Sequence, residues 1–342
     1  MKYKKLFIIF SFLLALIIPG CRKKNNDTPN AVPSVYVCGT ESNGSNSTAR
    51  YWKDGATTVL TDGLNLAAAN DIYVVGSDVY LCGEEANAVT YIAKVWKNGT
   101  ATALSDGING AIAKSIFVSG TDVYVCGVAA HSSGNQVARF WKNGTPAFLT
   151  NGVYSSSANS IFVSGPDVYI CGSEYNSSGK SVAKIWKNGT ATALTDGTKN
   201  ANAFAVYAVG SDIYVCGGEN NGTASVAKSW KNGTVTSLTD GTKDASAFDI
   251  KVSGADVYVC GVESNGVRNI AKLWKNGAAT SLTDGTRHAN ATGIFLSGTD
   301  VLVCGTEDSP NSTVKVWKNG TATSLTDGTK DALANAIFVN EQ

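Results

Sequence analysis

The feature that most constrains this chain is a unit of 43 to 45 residues that occurs seven times. Each unit contains a Val-Tyr-Val-Cys-Gly-like segment followed by a Trp-Lys-Asn-Gly-like segment. The repeated cysteines are Cys38, Cys82, Cys126, Cys171, Cys216, Cys260 and Cys304, and the repeated tryptophans are Trp52, Trp96, Trp141, Trp186, Trp230, Trp274 and Trp317. A repeat of this length is typical of one blade of a β-propeller, which contains four strands.

Each unit contains four strand-like segments. The first and second segments are, for example, residues 115–118 and 122–126 of the third unit, and the third and fourth are residues 93–96 and 100–104 of the second unit. In these segments β-branched and aromatic residues alternate with smaller ones. Asn98-Gly99 separates the third segment from the fourth and favours a type I′ turn, because both residues tolerate positive φ. The pattern predicts antiparallel strands joined by tight turns.

The phase of the repeat predicts how the ring closes. Residues 35–37 match the second strand of a unit, and residues 336–339 match the first strand. Seven complete units therefore exist only if the last strand joins the first three. We predict an all-β, seven-bladed β-propeller over residues 34–342, with four antiparallel strands per blade and a ring closed by the C-terminal strand (3+1). A β-solenoid is the alternative, but it would need polar caps at both ends.

The spacing of the motifs locates the variable surface. Every interval from a tryptophan to the next cysteine is 30 residues, whereas the interval from a cysteine to the next tryptophan varies from 13 to 15. All length changes therefore fall between the second and third strands. In a propeller these loops share one face, here called the top face, with the connections between blades. Surface loops tolerate insertions and often carry function.

The N-terminal segment is typical of an export signal. Lys2, Lys4 and Lys5 precede an apolar stretch over residues 6–18, which is too short to span a bilayer. The stretch ends at Gly20-Cys21, which resembles a bacterial lipobox. We predict a signal peptide over residues 1–20, a lipidated Cys21 that holds the protein on a membrane, and a flexible tether over residues 21–33. Ordinary signal-peptide cleavage nearby is the alternative.

Composition excludes some classes of partner. Removing the three leader lysines from a net charge of +1 leaves −2, so the mature chain lacks the basic excess of a nucleic-acid-binding domain. Two histidines and one methionine provide few metal ligands. No catalytic, calcium-binding or cofactor motif is recognised. We predict no metal, no cofactor, no nucleic-acid partner and a monomeric propeller.

Most repeated residues are interpreted as scaffold. Equivalent cysteines on neighbouring blades lie too far apart for disulfides, because packed sheets are about 10 Å apart and bonded Cα atoms need about 7 Å or less. We expect seven buried free thiols. The tryptophans are expected to pack between blades, and a ring of aromatic residues for sugar stacking is the alternative.

Acidic residues recur on the predicted top face. An acidic rim for cations or a basic partner is one interpretation, and a solvated loop face is the other. The two sets are Glu41, Glu85, Glu174, Glu219, Glu263 and Glu307, and Asp62, Asp106, Asp196, Asp240, Asp284 and Asp327.

The third unit breaks the repeat. Ala129 replaces the repeated glutamate, Asn151 replaces the turn aspartate, and His131 lies in the same variable loop. Tyr154 follows the altered turn, and Tyr175 lies in the next unit's loop. A ligand contact by His131, Tyr154 and Tyr175 is one hypothesis, and simple drift is the other.

A second set of candidate residues follows the repeated alanine of each first strand. We expect this set just inside the entrance of the ring, where residue type varies most: Asn70, Lys114, Asn159, Phe204, Phe248, Thr292 and Asn335. Phe204 and Phe248 are adjacent in blade order and would form an apolar spot of the kind that dominates binding energy at interfaces. Packing of both rings under the loops is the alternative.

The repeat Val-Tyr-Val-Cys-Gly, Ala-Lys-x-Trp-Lys-Asn-Gly and Leu-Thr-Asp-Gly resembles that of uncharacterised propeller lipoproteins from Bacteroidetes-type bacteria. The resemblance covers residues 34–342 and implies the fold but no activity. We expect a non-catalytic envelope lipoprotein, not an enzyme, that binds a protein or glycan ligand through the top face. An enzyme acting on an envelope or environmental polysaccharide, a lyase or a hydrolase, is the alternative. We expect the outer membrane, on its periplasmic side.

Overall fold

The computed structural model describes residues 33–341, which form 28 β-strands and no helix. No part of this range is therefore a helix of the length and apolarity needed to cross a bilayer. The predicted signal peptide, the tether and Cys21 lie outside the described residues.

The strands follow one another in groups with nearly constant lengths. The first fourteen are β1 (Ser34–Ser42), β2 (Ser47–Lys53), β3 (Ala56–Val59), β4 (Ala67–Val75), β5 (Asp78–Ala86), β6 (Tyr91–Lys97), β7 (Thr100–Ala103), β8 (Ala111–Ser119), β9 (Asp122–Ala130), β10 (Gln136–Lys142), β11 (Thr145–Phe148), β12 (Ser156–Ser164), β13 (Asp167–Tyr175) and β14 (Ser181–Lys187). The remaining fourteen are β15 (Thr190–Ala193), β16 (Ala201–Val209), β17 (Asp212–Asn220), β18 (Ser225–Lys231), β19 (Thr234–Ser237), β20 (Ala245–Ser253), β21 (Asp256–Ser264), β22 (Asn269–Lys275), β23 (Ala278–Ser281), β24 (Ala289–Ser297), β25 (Asp300–Ser309), β26 (Asn311–Lys318), β27 (Thr321–Ser324) and β28 (Ala332–Asn340).

These strands form seven four-stranded antiparallel sheets arranged as a ring, which confirms the predicted propeller. Blade one has the order β28-β1-β2-β3, so the C-terminal strand supplies its innermost position. The pairing of β1 with β28 runs from Ser34 opposite Asn340 to Glu41 opposite Ala332. Blades two to seven start at β4, β8, β12, β16, β20 and β24. The predicted closure by the C-terminal strand is therefore confirmed.

The turns between the third and fourth strands explain the repeated Asn-Gly pairs. Each turn places a non-glycine residue at φ of 49–51°. Asparagine and aspartate tolerate this left-handed conformation better than other side chains do. The seven residues are Asp54, Asn98, Asn143, Asn188, Asn232, Asn276 and Asn319.

The core lies between adjacent blades. Trp96 of blade two, for example, packs in one cluster with Tyr36 and Cys38 of blade one. All seven repeat tryptophans are at most 1% exposed, and all seven repeat cysteines are buried free thiols. The repeated residues therefore hold neighbouring blades together.

A steric constraint explains why a glycine follows each repeat cysteine. A Cβ on Gly83 would overlap the backbone carbonyl of Ala68 in the paired inner strand, and Gly127 meets Ile112 in the same way. Only a residue without a side chain allows the inner strand to approach this closely. The close approach accompanies a bulge in every inner strand, which shapes the channel described below.

We predict that deleting residues 334–342 removes most of the cooperative stability. Blade one would lose its inner strand, which contains the buried Ala334, Ile337 and Val339, and β1 would gain an open edge. Thermal unfolding followed by circular dichroism should show a lower, broader transition. Deleting only residues 341–342, which lie beyond β28, is the control. A truncated chain that melts like the full-length protein would contradict ring closure by this strand.

Candidate functional site

The inner strands of all seven blades surround a central channel, and a cavity of about 410 Å³ lies within it. In each inner strand the register shifts at the fourth residue, for example between Ala69 and Asp71 in β4. The fourth residue is thus the extra residue of a β-bulge, and bulges change the direction in which a side chain points. All seven bulge residues line the cavity: Asn70, Lys114, Asn159, Phe204, Phe248, Thr292 and Asn335.

Four bulge residues connect their blade to the next one. The side chains of Asn70, Asn159, Thr292 and Asn335 each donate to the carbonyl of the alanine that precedes the next bulge residue, at 2.8–2.9 Å. Phenyl rings have no donor, so this interblade bond is missing at Phe204 and Phe248. The carbonyls of Ala247 and Ala291, which occupy the equivalent acceptor positions, do not receive it.

Phe204 and Phe248 form an apolar wall on one side of the channel. Their ring centroids are 5.7 Å apart, and the rings pack edge to face. Both side chains are half-buried and line the cavity, so they are not completely covered by loops. The pair therefore offers apolar contact area to a ligand that enters the channel.

Lys114 provides a cation on the polar side of the same cavity. Its ammonium donates to Ser157 Oγ at 2.8 Å and to Asn159 Oδ1 at 3.0 Å, and both acceptors are neutral. Burial lowers the pKa of Lys114. Among the lysines of residues 33–341 that are not exposed, Lys114 is the one without a carboxylate within 4 Å; the paired lysines are Lys94, Lys184, Lys228, Lys251, Lys272 and Lys315.

Glu84 lies behind Asn70 and was not identified from the sequence. Its carboxylate accepts from Asn70 Nδ2 at 2.5 Å, and burial raises its pKa to about 7. The signal was present, because the residue two places after the repeat cysteine is uncharged in the other blades. Those residues are Thr40, Val128, Ser173, Gly218, Val262 and Thr306.

The lower part of the channel is narrowed by a ring of aromatic side chains that the sequence analysis also missed. Neighbouring centroids are 4.8–5.1 Å apart around the series Phe295, Phe338, Tyr73, Phe117, Phe162 and Tyr207. Lys251 occupies the seventh position, 2.8 Å from Asp249 Oδ1 and 5.6 Å from the centroid of Tyr207. This ring gives the cavity an apolar floor with one neutralised ion pair.

Two partly buried aspartates stabilise the bulges. Asp71 accepts from the backbone N–H groups of Ile72 and Ile116 and from Ser115 Oγ at 2.8–3.0 Å, and burial raises its pKa to about 6. Asp249 likewise accepts from the N–H groups of Ile250 and Ile294. The equivalent residue in the preceding blade is Ala336 for Asp71 and Ala205 for Asp249. An alanine side chain cannot accept a hydrogen bond. Both carboxylates are therefore used by the scaffold.

The other candidate residues lie outside the channel. His131 lies in the loop between β9 and β10, where its ring packs edge to face on Phe148 at 5.2 Å between centroids. Tyr154 is 38% exposed and Tyr175 is 48% exposed. The structure thus brings together five of the eight candidate binding residues, Asn70, Lys114, Asn159, Phe204 and Phe248, and separates the other three from them.

The acidic-rim interpretation requires a correction for its glutamates. Each glutamate of the repeated set forms an ion pair with a basic residue on the third strand of its own blade, and these pairs are partly buried. The pairs are Glu41–Arg50, Glu85–Lys94, Glu174–Lys184, Glu219–Lys228, Glu263–Lys272 and Glu307–Lys315. The interpretation of these glutamates as a free acidic surface is wrong because their charge is neutralised inside the blades.

Among residues 33–341, no three histidine, cysteine, aspartate or glutamate side chains form a group that could hold a metal ion.

Comparisons with known proteins identify the fold alone. No family model matches the chain, and no curated protein matches it. Puromycin hydrolase has a similar solved structure, with a TM-score of 0.60 and 10% identity over 86% of this chain and 52% of that chain. Acylaminoacyl peptidase from Pyrococcus horikoshii has a TM-score of 0.52 and 14% identity over 86% of this chain and 51% of that chain. The β-propeller domain of the Trilobed protease from Pyrococcus furiosus has a TM-score of 0.51 and 11% identity over 86% of this chain and 95% of that chain.

These comparisons correct one prediction. The lack of a catalytic motif was taken to mean that the protein is not an enzyme. As an exclusion of enzymes that prediction is wrong, because solved structures that share the fold include a hydrolase and a peptidase, so the propeller fold without a recognised motif does not exclude an enzyme. This chain spans about half the length of these two proteins. At such low identity the likeness shows the propeller and transfers no substrate.

We predict that Glu84→Gln stabilises the protein at pH 8 and has little effect near pH 4. The folded state holds the Glu84 proton more tightly than the unfolded state, because the pKa rises from about 4.5 to about 7 on folding. The unfolding free energy of the wild type therefore falls as pH rises through this range. Glutamine keeps the acceptor for Asn70 without the charge. Urea denaturation should show a gain of about 1–3 kcal/mol at pH 8. A less stable variant at pH 8 would contradict the assignment.

Proposed function

We propose that the protein is an envelope lipoprotein that binds a ligand at the mouth of the central channel on its top face. The ligand places an apolar group against Phe204 and Phe248 and a polar or anionic group against Lys114. The cavity of about 410 Å³ suits a small molecule or one projecting unit of a larger partner.

One observation carries this proposal: the bulge residues depart from the sevenfold symmetry in a chemically ordered way. Asn70, Lys114 and Asn159 form a polar side, and Phe204 and Phe248 form an adjacent apolar side. Identical bulge residues would be enough for a scaffold, whereas a ligand is oriented by unlike groups. Sites that bind small molecules combine apolar walls with a few polar groups in the same way.

The described chain enters the propeller at the face opposite to the proposed site. β1 begins at the face that carries the Asn-Gly turns, since the amide of Val35 donates to Asp54 Oδ1 in such a turn. The residues directly after Cys21 are Arg22-Lys23-Lys24, which are neither an aspartate nor an acidic run, so we propose the periplasmic side of the outer membrane.

We predict that Phe204→Ala with Phe248→Ala weakens ligand binding by about 1 kcal/mol or more, because both apolar contacts are lost. Native mass spectrometry of protein purified from its own envelope would identify the bound molecule, and calorimetry with the chain from residue 22 onward would measure its affinity. The control is Lys142→Ala with Lys187→Ala, whose lysines form ion pairs with Asp122 and Asp167 at the bottom face. Weaker binding by the control alone would contradict the channel site.

A second candidate function is an enzyme that acts on an envelope or environmental polysaccharide. One observation favours it: burial raises the pKa of Glu84 to about 7 and lowers the pKa of Lys114 in the same region. Groups with such shifts are common at active sites, where they transfer protons. Product analysis of the bound ligand after incubation would distinguish turnover from simple binding.

We predict that Cys21→Ala releases the protein from membranes or leaves the precursor unprocessed. Lipid attachment requires the Cys21 thiol, and nothing in the mature tether replaces it. Fractionation of cells that express each form, followed by immunoblotting, measures the outcome. A mature-size variant that still fractionates with membranes would show that another contact anchors the protein.

A further inference from the structure

Six blades share an ion pair that blade three lacks. In each of the six, a glutamate on the second strand meets a lysine or arginine on the third strand. In blade three the basic residue is Arg139, but Ala129 stands at the glutamate's position, opposite Val137. The equivalent pairing in blade four places Glu174 opposite Val182. The backbone geometry is retained, so blade three has lost only the carboxylate.

Arg139 is left with an incompletely satisfied guanidinium. Its Nε is buried without a hydrogen-bond partner, and no carboxylate of residues 33–341 lies within 4 Å of it. Partial burial lowers the pKa of Arg139. The guanidinium carbon lies 4.5 Å from the Phe148 ring and 5.7 Å from the Trp141 ring. These rings hold the planar group in place but supply no hydrogen-bond acceptor.

Phe148 is specific to blade three, as is the missing glutamate. The equivalent residues of the outermost strands are Val59, Ala103, Ala193, Ser237, Ser281 and Ser324. The ring of His131 packs on the same phenylalanine. Three departures from the repeat, at positions 129, 131 and 148, therefore surround one guanidinium.

Arg139 opens into a groove of about 590 Å³ that also includes Asp106, His131 and Phe148. Asp106 is held by its own turn, because its Oδ1 accepts from the amides of Ile108 and Asn109 at 3.0 and 3.2 Å. The groove is separate from the central channel and is bordered by different residues.

Apolar side chains lie beside this groove. Ile108 is 73% exposed in the turn that contains Asp106. Val153 is 61% exposed in the next interblade turn, where the carbonyl of Gly152 accepts from Ser133 Oγ in the loop of His131. The equivalent turn residues elsewhere are Leu64, Thr198, Thr242, Thr286 and Thr329.

We propose that this groove binds a partner protein through an aspartate or glutamate side chain flanked by apolar residues. The partner's carboxylate replaces the missing Glu of the repeat and accepts hydrogen bonds from Arg139, whose planar fork matches a carboxylate. The flanking apolar residues contact Ile108 and Val153. The exposed aliphatic border favours a peptide over a glycan, whose hydroxyl groups would gain little from it. This site is independent of the channel site proposed above.

The test uses two peptides, acetyl-Val-Glu-Val-amide and acetyl-Val-Gln-Val-amide, and the ¹⁵N-labelled chain from residue 22 onward. The Nε–H signal of Arg139, assigned by its loss in Arg139→Lys, reports on the site. The glutamate peptide should shift this signal and bind about tenfold more tightly than the glutamine peptide. Equal binding of the two peptides would overturn the proposal.

Two variants make the test specific. Ala129→Glu restores the ion pair of the other six blades, so it should abolish peptide binding while it maintains or raises the melting temperature. Arg139→Met retains the packing on Phe148 and should also abolish binding, which covers the case in which the added glutamate does not fit. Glu174→Ala in blade four is the control and should leave binding at Arg139 unchanged.

Binding that persists in Ala129→Glu and Arg139→Met would overturn the site. Binding of a trigalacturonate probe at Arg139 without binding of the glutamate peptide would overturn the choice of a protein partner.

Discussion

The hydrogen-bond ladder between β28 and β1 is the contact on which the rest of the structure depends. It joins two segments whose paired residues are 291 to 306 positions apart in sequence, from Glu41 with Ala332 to Ser34 with Asn340, and leaves no inner strand without a neighbour. Each interblade core requires a complete blade on both sides, as the cluster of Trp52 and Ile337 of blade one with Cys304 of blade seven illustrates. Closure therefore converts seven weak units into one cooperative fold.

Closure also imposes the bulges that build the channel site. Seven inner strands converge on the axis, and each departs from regular pairing at the residue after the repeated alanine. The extra residue is free to vary because it has no partner in the register. The residues next to the bulges satisfy the backbone hydrogen bonds there, because Asp71 and Asp249 each accept from two backbone amides. The variable positions of the channel are thus a consequence of the backbone that the ring requires.

The sequence predicted the blades, the ring closure and the burial of the repeat cysteines, because a periodic pattern reports directly on periodic structure. It also predicted that Lys114 and Phe204 lie near one another, since equivalent positions of the seven blades lie at the same height along the axis of the ring. It misjudged Glu41 and its equivalents, because pairing across strands depends on register and side-chain direction. It missed Glu84, because the burial that alters its pKa arises between two blades.

The two proposed sites follow the same physical rule in different places. In this propeller most partly buried lysines receive their partner from the repeat itself, as Lys184 does from Glu174. A cation that keeps its position while its carboxylate is lost or absent retains the cost of desolvation without the compensating ion pair. Lys114 in the channel and Arg139 in blade three are such cations. Each lines a cavity together with aromatic side chains, Phe204 and Phe248 for the first and Phe148 for the second. In both proposals a carboxylate-bearing ligand would restore the missing interaction, so departures from the repeat, rather than the repeat itself, indicate the proposed binding sites.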